Sequence, residues 1–197
     1  MFELNQCLAK RSSWCRSAFT RLHTGWPSAR TPYPESSITV KIILLGNAGA
    51  GKSTLSMRLT TNESVARLSL DVLAFSNGAQ RRAIQESIAD VRLFIEDHES
   101  WIIEGCYADI IEPILCECDE LIFLNPGTDV CIAHCRTRPW EPEKFSSKEE
   151  QDEHLENLIE WVAAYETRSD EYGLRRHRAL YDGFKGKKRE LNHPSEY

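Results

Sequence analysis

The sequence predicts an α/β protein, a three-layer sandwich in which a parallel sheet of five short strands lies between helices. Three observations predict it. From Ile38 onward, short apolar runs alternate with segments of helical spacing, the pattern of a parallel sheet with crossover helices. The stretch ITVKIILLGNAGAGKSTLSMRL, residues 38–59, passes from an apolar run through a loop of glycines and alanines into a helix. No segment repeats, which sets solenoids aside. With 197 residues, 41% of them hydrophobic, the chain can bury one sizeable core, and two full domains would be cramped.

Taken in order, Val40 to Leu45 reads as a fully buried first strand and Lys52 to Leu59 as the first helix. A second strand is expected over Arg67 to Leu70, ending at Asp71. Arg81 to Glu99 carries Ile84, Ile88, Val91 and Ile95 at spacings of four, three and four, an amphipathic helix. Trp101 to Ile103 makes a strand that stops at Glu104-Gly105, and Leu121 to Leu124 makes another, stopped by Asn125-Pro126-Gly127. A helix through Cys131 and Cys135 gives way to a polar, proline-broken stretch from Thr137 to Ser147. Leu155, Leu158, Ile159, Val162 and Tyr165 set one apolar face on a long helix starting near Ser147, and a last short strand is expected around Arg189 to Leu191. Trp161 and Tyr165 read as packing residues of that helix.

Residues 1–38 differ in kind. Lys10, Arg11, Arg16, Arg21 and Arg30 against Glu3 and Glu35 give them a net charge of +3, which leaves −9 on the rest of a chain whose total is −6. They read as a disordered extension or an upstream start, and an organelle-targeting segment is the other reading that such a composition permits. The acidic remainder argues against an extended nucleic-acid footprint. No apolar run approaches the roughly 18 residues that span a bilayer, so a soluble protein is expected. Seven cysteines without a secretory leader point to a reducing, cytoplasmic setting. Cys116 with Cys118, and Cys131 with Cys135 around His134, lack the usual zinc spacing and read as free thiols, with a structural metal as the alternative.

Chemistry enters at Gly46-Asn47-Ala48-Gly49-Ala50-Gly51-Lys52-Ser53, which satisfies GxxxxGK[ST] between a strand and a helix. Glycines allow positive φ and let successive amides approach an anion, while the helix start adds unpaired N–H groups and a positive dipole end. The pattern implies ATP, with Lys52 reaching the β and γ phosphates, Ser53 on Mg²⁺, and Thr54 closing the set. A guanine-selecting NKxD is absent. Asp170-Glu171-Tyr172-Gly173 and Ser76-Asn77-Gly78-Ala79-Gln80 echo other nucleotide-hydrolase signatures only by accident of composition.

Beyond that loop the chain, over about residues 39–192, resembles the small P-loop kinases of the nucleoside monophosphate kinase and shikimate or gluconate kinase type. It looks closest to a branch labelled AAA-type or topology-modulation kinase-like, through Trp101-Ile102-Ile103-Glu104-Gly105-Cys106-Tyr107. The resemblance implies a sheet of order 2-3-1-4-5 and transfer of the γ-phosphoryl group of ATP to a small acceptor. It places a lid near 136–147, where Arg136 or Arg138 would stabilise the transferring group, and leaves 193–197 as a tail.

Asp71, at the carboxyl edge of the sheet, reads as a base for the acceptor hydroxyl, a Mg²⁺ holder, or a helix N-cap. Glu104 stands where a Walker B acid would orient Mg²⁺ through water. Arg81 and Arg82 are expected to open the acceptor-side helix, facing a phosphate or carboxylate or else solvent. Arg168, Arg175, Arg176 and Arg178, then Lys185, Lys187, Lys188 and Arg189, form a basic group near the adenine side, solvated unless one or two touch ATP. The reading as a whole is an ATP- and Mg²⁺-dependent kinase acting on a nucleoside, nucleotide or small polar metabolite. The rival is a nucleotide-binding regulator that signals to a protein partner, and a nucleic-acid end kinase is disfavoured by the acidic body.

Overall fold

A computed structural model describes residues 39–60, 64–76, 80–140 and 146–197. The extension over 1–38, residues 61–63 and 77–79, and the middle of the expected lid, 141–145, lie outside the described residues. Thr39–Tyr197 forms one compact unit.

Apolar runs become interior strands because each residue is buried on one of two covered faces. Strands β1 (Lys41–Gly46), β3 (Trp101–Gly105) and β4 (Glu120–Leu124) lie in the middle, with β2 (Ala66–Ser69) and β5 (Lys187–Leu191) at the edges, in the parallel order β2-β3-β1-β4-β5. Strand periodicity then sorts the core into two layers. Ile43, Leu45, Trp101, Ile103, Leu121 and Phe123 face one side, under α3 (Ile84–Asp97), α4 (Ala108–Ile111) and α7 (Leu174–Gly183). Leu44, Ile102, Ile122 and Leu124 face the other, under α1 (Lys52–Leu59), α5 (Thr128–Arg136) and α6 (Lys148–Ala163). The expected order and layers are therefore present.

Element edges moved for identifiable reasons. Arg81 and Arg82 do not open a helix: Arg81 bridges antiparallel to Phe75, the Arg82 amide donates to the Ala74 carbonyl at 3.0 Å, and α3 begins only at Ile84. β3 runs through Glu104 and Gly105, because Glu104 pairs in register with Leu44 of β1 and Ser69 of β2. The short helix α2 (Asp71–Ala74) follows β2 directly. The Ser147 hydroxyl accepts from the Glu150 amide and caps α6 at its expected start. Within α6, Ile159 and Val162 are buried, as is Tyr165 just beyond its end.

β5, with the sequence KKREL, is held by charge as well as by its ladder. Glu120 on β4 takes Lys187 at 2.9 Å and Arg189 at 2.6 Å, and the Lys188 ammonium donates to the Tyr181 and Asp182 carbonyls. No helix among the described residues is long and apolar enough to cross a membrane.

Candidate functional site

The parallel sheet brings four strand ends to one edge: Gly46, Ser69 with Leu70-Asp71, Glu104-Gly105, and Leu124. Crevices at that edge are where open α/β sheets bind ligands. The glycine loop crosses it, with left-handed φ of 76° at Gly49 and 94° at Gly51, which a side chain would strain. Space is also absent. A Cβ on Gly46 would stand 2.4 Å from the Leu124 carbonyl oxygen, and one on Gly49 would stand 2.3 Å from that of Cys131.

The loop's carbonyls are turned toward the protein. The Lys52 ammonium donates to the Gly46 and Asn47 carbonyls at 3.2 and 2.9 Å, His134 of α5 bonds the Gly49 carbonyl at 2.8 Å, and the Tyr197 hydroxyl donates to that of Ala50 at 2.6 Å. The Asn47 amide donates to the Val162 carbonyl on α6 at 3.1 Å, and its oxygen accepts from the Ala48 amide at 2.9 Å. Among the described residues, the amides of Gly49, Gly51, Lys52, Ser53 and Thr54 find no protein acceptor. Consecutive unsatisfied N–H groups at a helix start form an anion cradle, and Lys52 adds a buried positive charge beside them.

Ser53 turns its hydroxyl to Glu104, donating to Oε1 at 2.9 Å across 51 residues of sequence. Glu104 is only 8% exposed, and this hydroxyl gives its buried carboxylate a partner. Asp71 is the first residue of α2 and makes no side-chain cap bond; the Tyr107 hydroxyl donates to its Oδ1 at 2.7 Å. The N-cap alternative is thereby removed, since Leu70 occupies that position without a side-chain cap. Burial, with the nearby Cys106 and Asp71 adding to it, raises the Tyr107 pKa, so the phenol stays a neutral donor.

Behind the edge, His177 is fully buried between the Cys106 carbonyl, 2.9 Å from Nε2, and the Tyr165 hydroxyl, 2.8 Å from Nδ1. A carbonyl only accepts, so Nε2 carries the proton and Nδ1 takes the phenol's. Burial lowers the His177 pKa to about 4, against a bond to the Cys106 carbonyl that works the other way.

The remaining candidates divide. Arg81 and Arg82, expected on the acceptor side, stand just before α3, and both are ion-paired, with Asp109 and Asp90. Arg136 ends α5 and Arg138 follows it; both are exposed and neither forms an ion pair among the described residues. Most of the expected basic group is neutralised: Arg168 pairs with Asp170, Arg176 with Glu112 and Glu171, Arg178 with Glu190, and Lys187 and Arg189 with Glu120.

Cys131 and Cys135 are buried beneath the loop, and burial raises both thiols, that of Cys131 to about 11. No group of three or more metal-ligating His, Cys, Asp or Glu side chains occurs among the described residues. Tyr107, Asp109, His177 and Tyr197 are the site residues to which sequence reasoning gave no role, and His134 was weighed only beside Cys131 and Cys135 for a metal. Of these only Tyr107 lay within a quoted motif.

No protein-family profile matches the chain, and no curated protein matches it. Among solved structures, it is similar to a deoxyadenosine kinase from M. mycoides with bound dATP. The identity is 14%, the match covers 78% of this chain and 91% of that one, and the TM-score is 0.41. At this degree of likeness the reading of the site rests on its own side chains.

Proposed function

We propose that the chain is an ATP-dependent phosphotransferase that moves the γ-phosphoryl group to a small-molecule acceptor. The observation that carries this reading is the 2.9 Å contact between Ser53, in the first turn of α1, and Glu104, near the end of the neighbouring strand β3. It sets a hydroxyl and a carboxylate together beside an amide-lined loop. Such hard oxygen donors suit Mg²⁺, which when bound supplies charge neutralisation across the phosphates.

The chain's own residues then divide the work. Gly46, Asn47, Ala48, Gly49, Ala50, Gly51 and Thr54 shape the cradle, and Lys52 neutralises the phosphate tail. Asp71 takes the proton of the acceptor hydroxyl as its oxygen bonds to the γ phosphorus and the bond from that phosphorus to the β–γ bridging oxygen breaks, releasing ADP. Arg136, at the end of α5, and Arg138, just beyond it, are exposed and meet the charge on the transferring oxygens. Positioning and charge supply most of the rate, since this chemistry needs little covalent help.

The test is ADP release in a coupled assay with nucleosides, nucleotides, sugars and organic acids. At least one acceptor is expected to raise release about tenfold over the basal rate, and Lys52→Ala is expected to remove the stimulation. Asp71→Asn is expected to lower transfer about 100-fold or more while ATP affinity stays nearly constant. An unchanged rate in Asp71→Asn removes Asp71 from the mechanism. Absence of any acceptor stimulation replaces the enzyme reading with that of a nucleotide-binding regulator.

A further inference from the structure

Two cations reach the acceptor side of the sheet, and both are already engaged. Arg81 places Nη2 at 3.1 and 2.9 Å from the two oxygens of Asp109, and its guanidinium carbon lies 4.8 Å from the centre of the Tyr107 ring. The pair is well sheltered, with side chains 26% and 14% exposed. Removing Arg81 to serve an incoming anion would leave the Asp109 carboxylate enclosed without its counter-charge, a costly state. Arg82 is held by Asp90 at 2.7 Å and by the Leu73 carbonyl at 3.2 Å.

Asp71, by contrast, is exposed and forms no ion pair among the described residues. The local balance therefore opposes a phosphate or carboxylate acceptor, which would meet the Asp71 carboxylate while Arg81 and Arg82 stay engaged with Asp109 and Asp90. Beside Asp71 the surface is apolar. Val72 is 67% exposed and Phe75 is 38% exposed, with its ring 6.2 Å from that of Tyr107. A carboxylate beside a partly exposed aromatic ring, over which the Arg81 guanidinium carbon lies 5.7 Å from the centroid, suits a neutral molecule with a hydroxyl at one end and a flat face at the other.

We infer that the acceptor is an uncharged nucleoside, and that Tyr107 is the positioning residue that holds Asp71 toward its hydroxyl; this rests on the phosphotransfer reading above. The Tyr107 ring is pinned by Arg81 over its face and by T-shaped contacts with Phe75 and Tyr172, and its hydroxyl occupies Oδ1 of Asp71. Oδ2 is left for the acceptor. As the nucleoside oxygen bonds to the γ phosphorus and ADP departs, its proton passes to Oδ2.

The experiment is steady-state kinetics on the full chain with saturating MgATP. The acceptor set pairs purine and pyrimidine nucleosides with their 5′-monophosphates, and adds a hydroxylated ring carboxylic acid and neutral sugars. A nucleoside is expected to exceed its monophosphate, the acid and the sugars in kcat/KM by about 100-fold. A monophosphate, acid or sugar as preferred acceptor overturns the inference and leaves phosphotransfer standing. No Lys52-dependent stimulation by any compound overturns phosphotransfer itself.

Two variants test the wiring. Asp109→Asn, checked for folding by its melting temperature, frees the charge of Arg81 and is expected to raise the monophosphate-to-nucleoside ratio of kcat/KM about tenfold. An unchanged ratio in a folded variant contradicts the charge argument. Tyr107→Phe is expected to lower kcat about tenfold with KM for ATP unchanged, and an unaltered kcat removes Tyr107 as a positioning residue.

Discussion

Gly49 shows how much a single position decides. Its φ of 76° is left-handed, and an added Cβ would stand 2.3 Å from the Cys131 carbonyl oxygen and 2.9 Å from the Cys135 sulfur. Gly127 also has a positive φ, 95° with ψ 153°, but a Cβ there meets nothing within 4 Å. Gly49→Ala should therefore cost more than backbone strain alone, about 3 kcal/mol, while Gly127→Ala costs about 1 kcal/mol. Thermal melts of the two variants check this, and equal losses would mean that contact with α5 is unimportant. The glycines and Lys52 were legible in the sequence because their chemistry is local and their spacing fixed. The resemblance set β3 beside β1 and put Ser53 and Glu104 at one Mg²⁺, but the direct Ser53–Glu104 bond was not legible, since it depends on side-chain geometry across two strands. Nor could sequence reveal that Arg81 and Arg82 are neutralised by Asp109 and Asp90, because the Arg81–Asp109 pair in particular spans 28 residues.

At the scale of elements, the strands read well because interior parallel strands bury both faces, so an apolar run is their whole signature. Helix α7 was missed. Its sequence LRRHRALYDG is dense in charge, and it buries only His177 and Leu180, two positions three apart that a strict search for apolar periodicity would flag weakly. The start of α3 was placed three residues early because the bridge between Arg81 and Phe75 is a tertiary contact without a local signal.

His177 couples α7 to Cys106 after β3 and to Tyr165 after α6, and this gives a pH prediction. Burial holds its folded pKa at about 4, against an ordinary value of 6.5, so the unfolded chain binds the extra proton first as pH falls. The stabilisation from neutral His177 is fully present above pH 6.5 and is lost progressively as pH falls through that value toward 4. At pH 5 the expected loss is about 2 kcal/mol relative to pH 7.5, read from urea midpoints. His177→Gln should flatten that dependence, and an equally steep profile in the variant would assign it to other groups.

For the whole molecule, the layered sheet follows from the order of apolar runs along the chain, and its consequence is that four strand ends share one edge. The cradle, the Ser53–Glu104 contact and the Asp71–Tyr107 pair are placed by that topology. An anion cradle in a body that is acidic overall is a local feature, held by backbone amides and one lysine, so binding should depend on the loop and on a divalent cation. Isothermal titration of the purified chain with ATP, with and without Mg²⁺, addresses this directly. Saturable binding that weakens on chelation and falls at least about tenfold in Lys52→Ala is the expected result. Heat flow that never saturates with any ribonucleoside triphosphate, or affinity indifferent to both Mg²⁺ and Lys52, would contradict it.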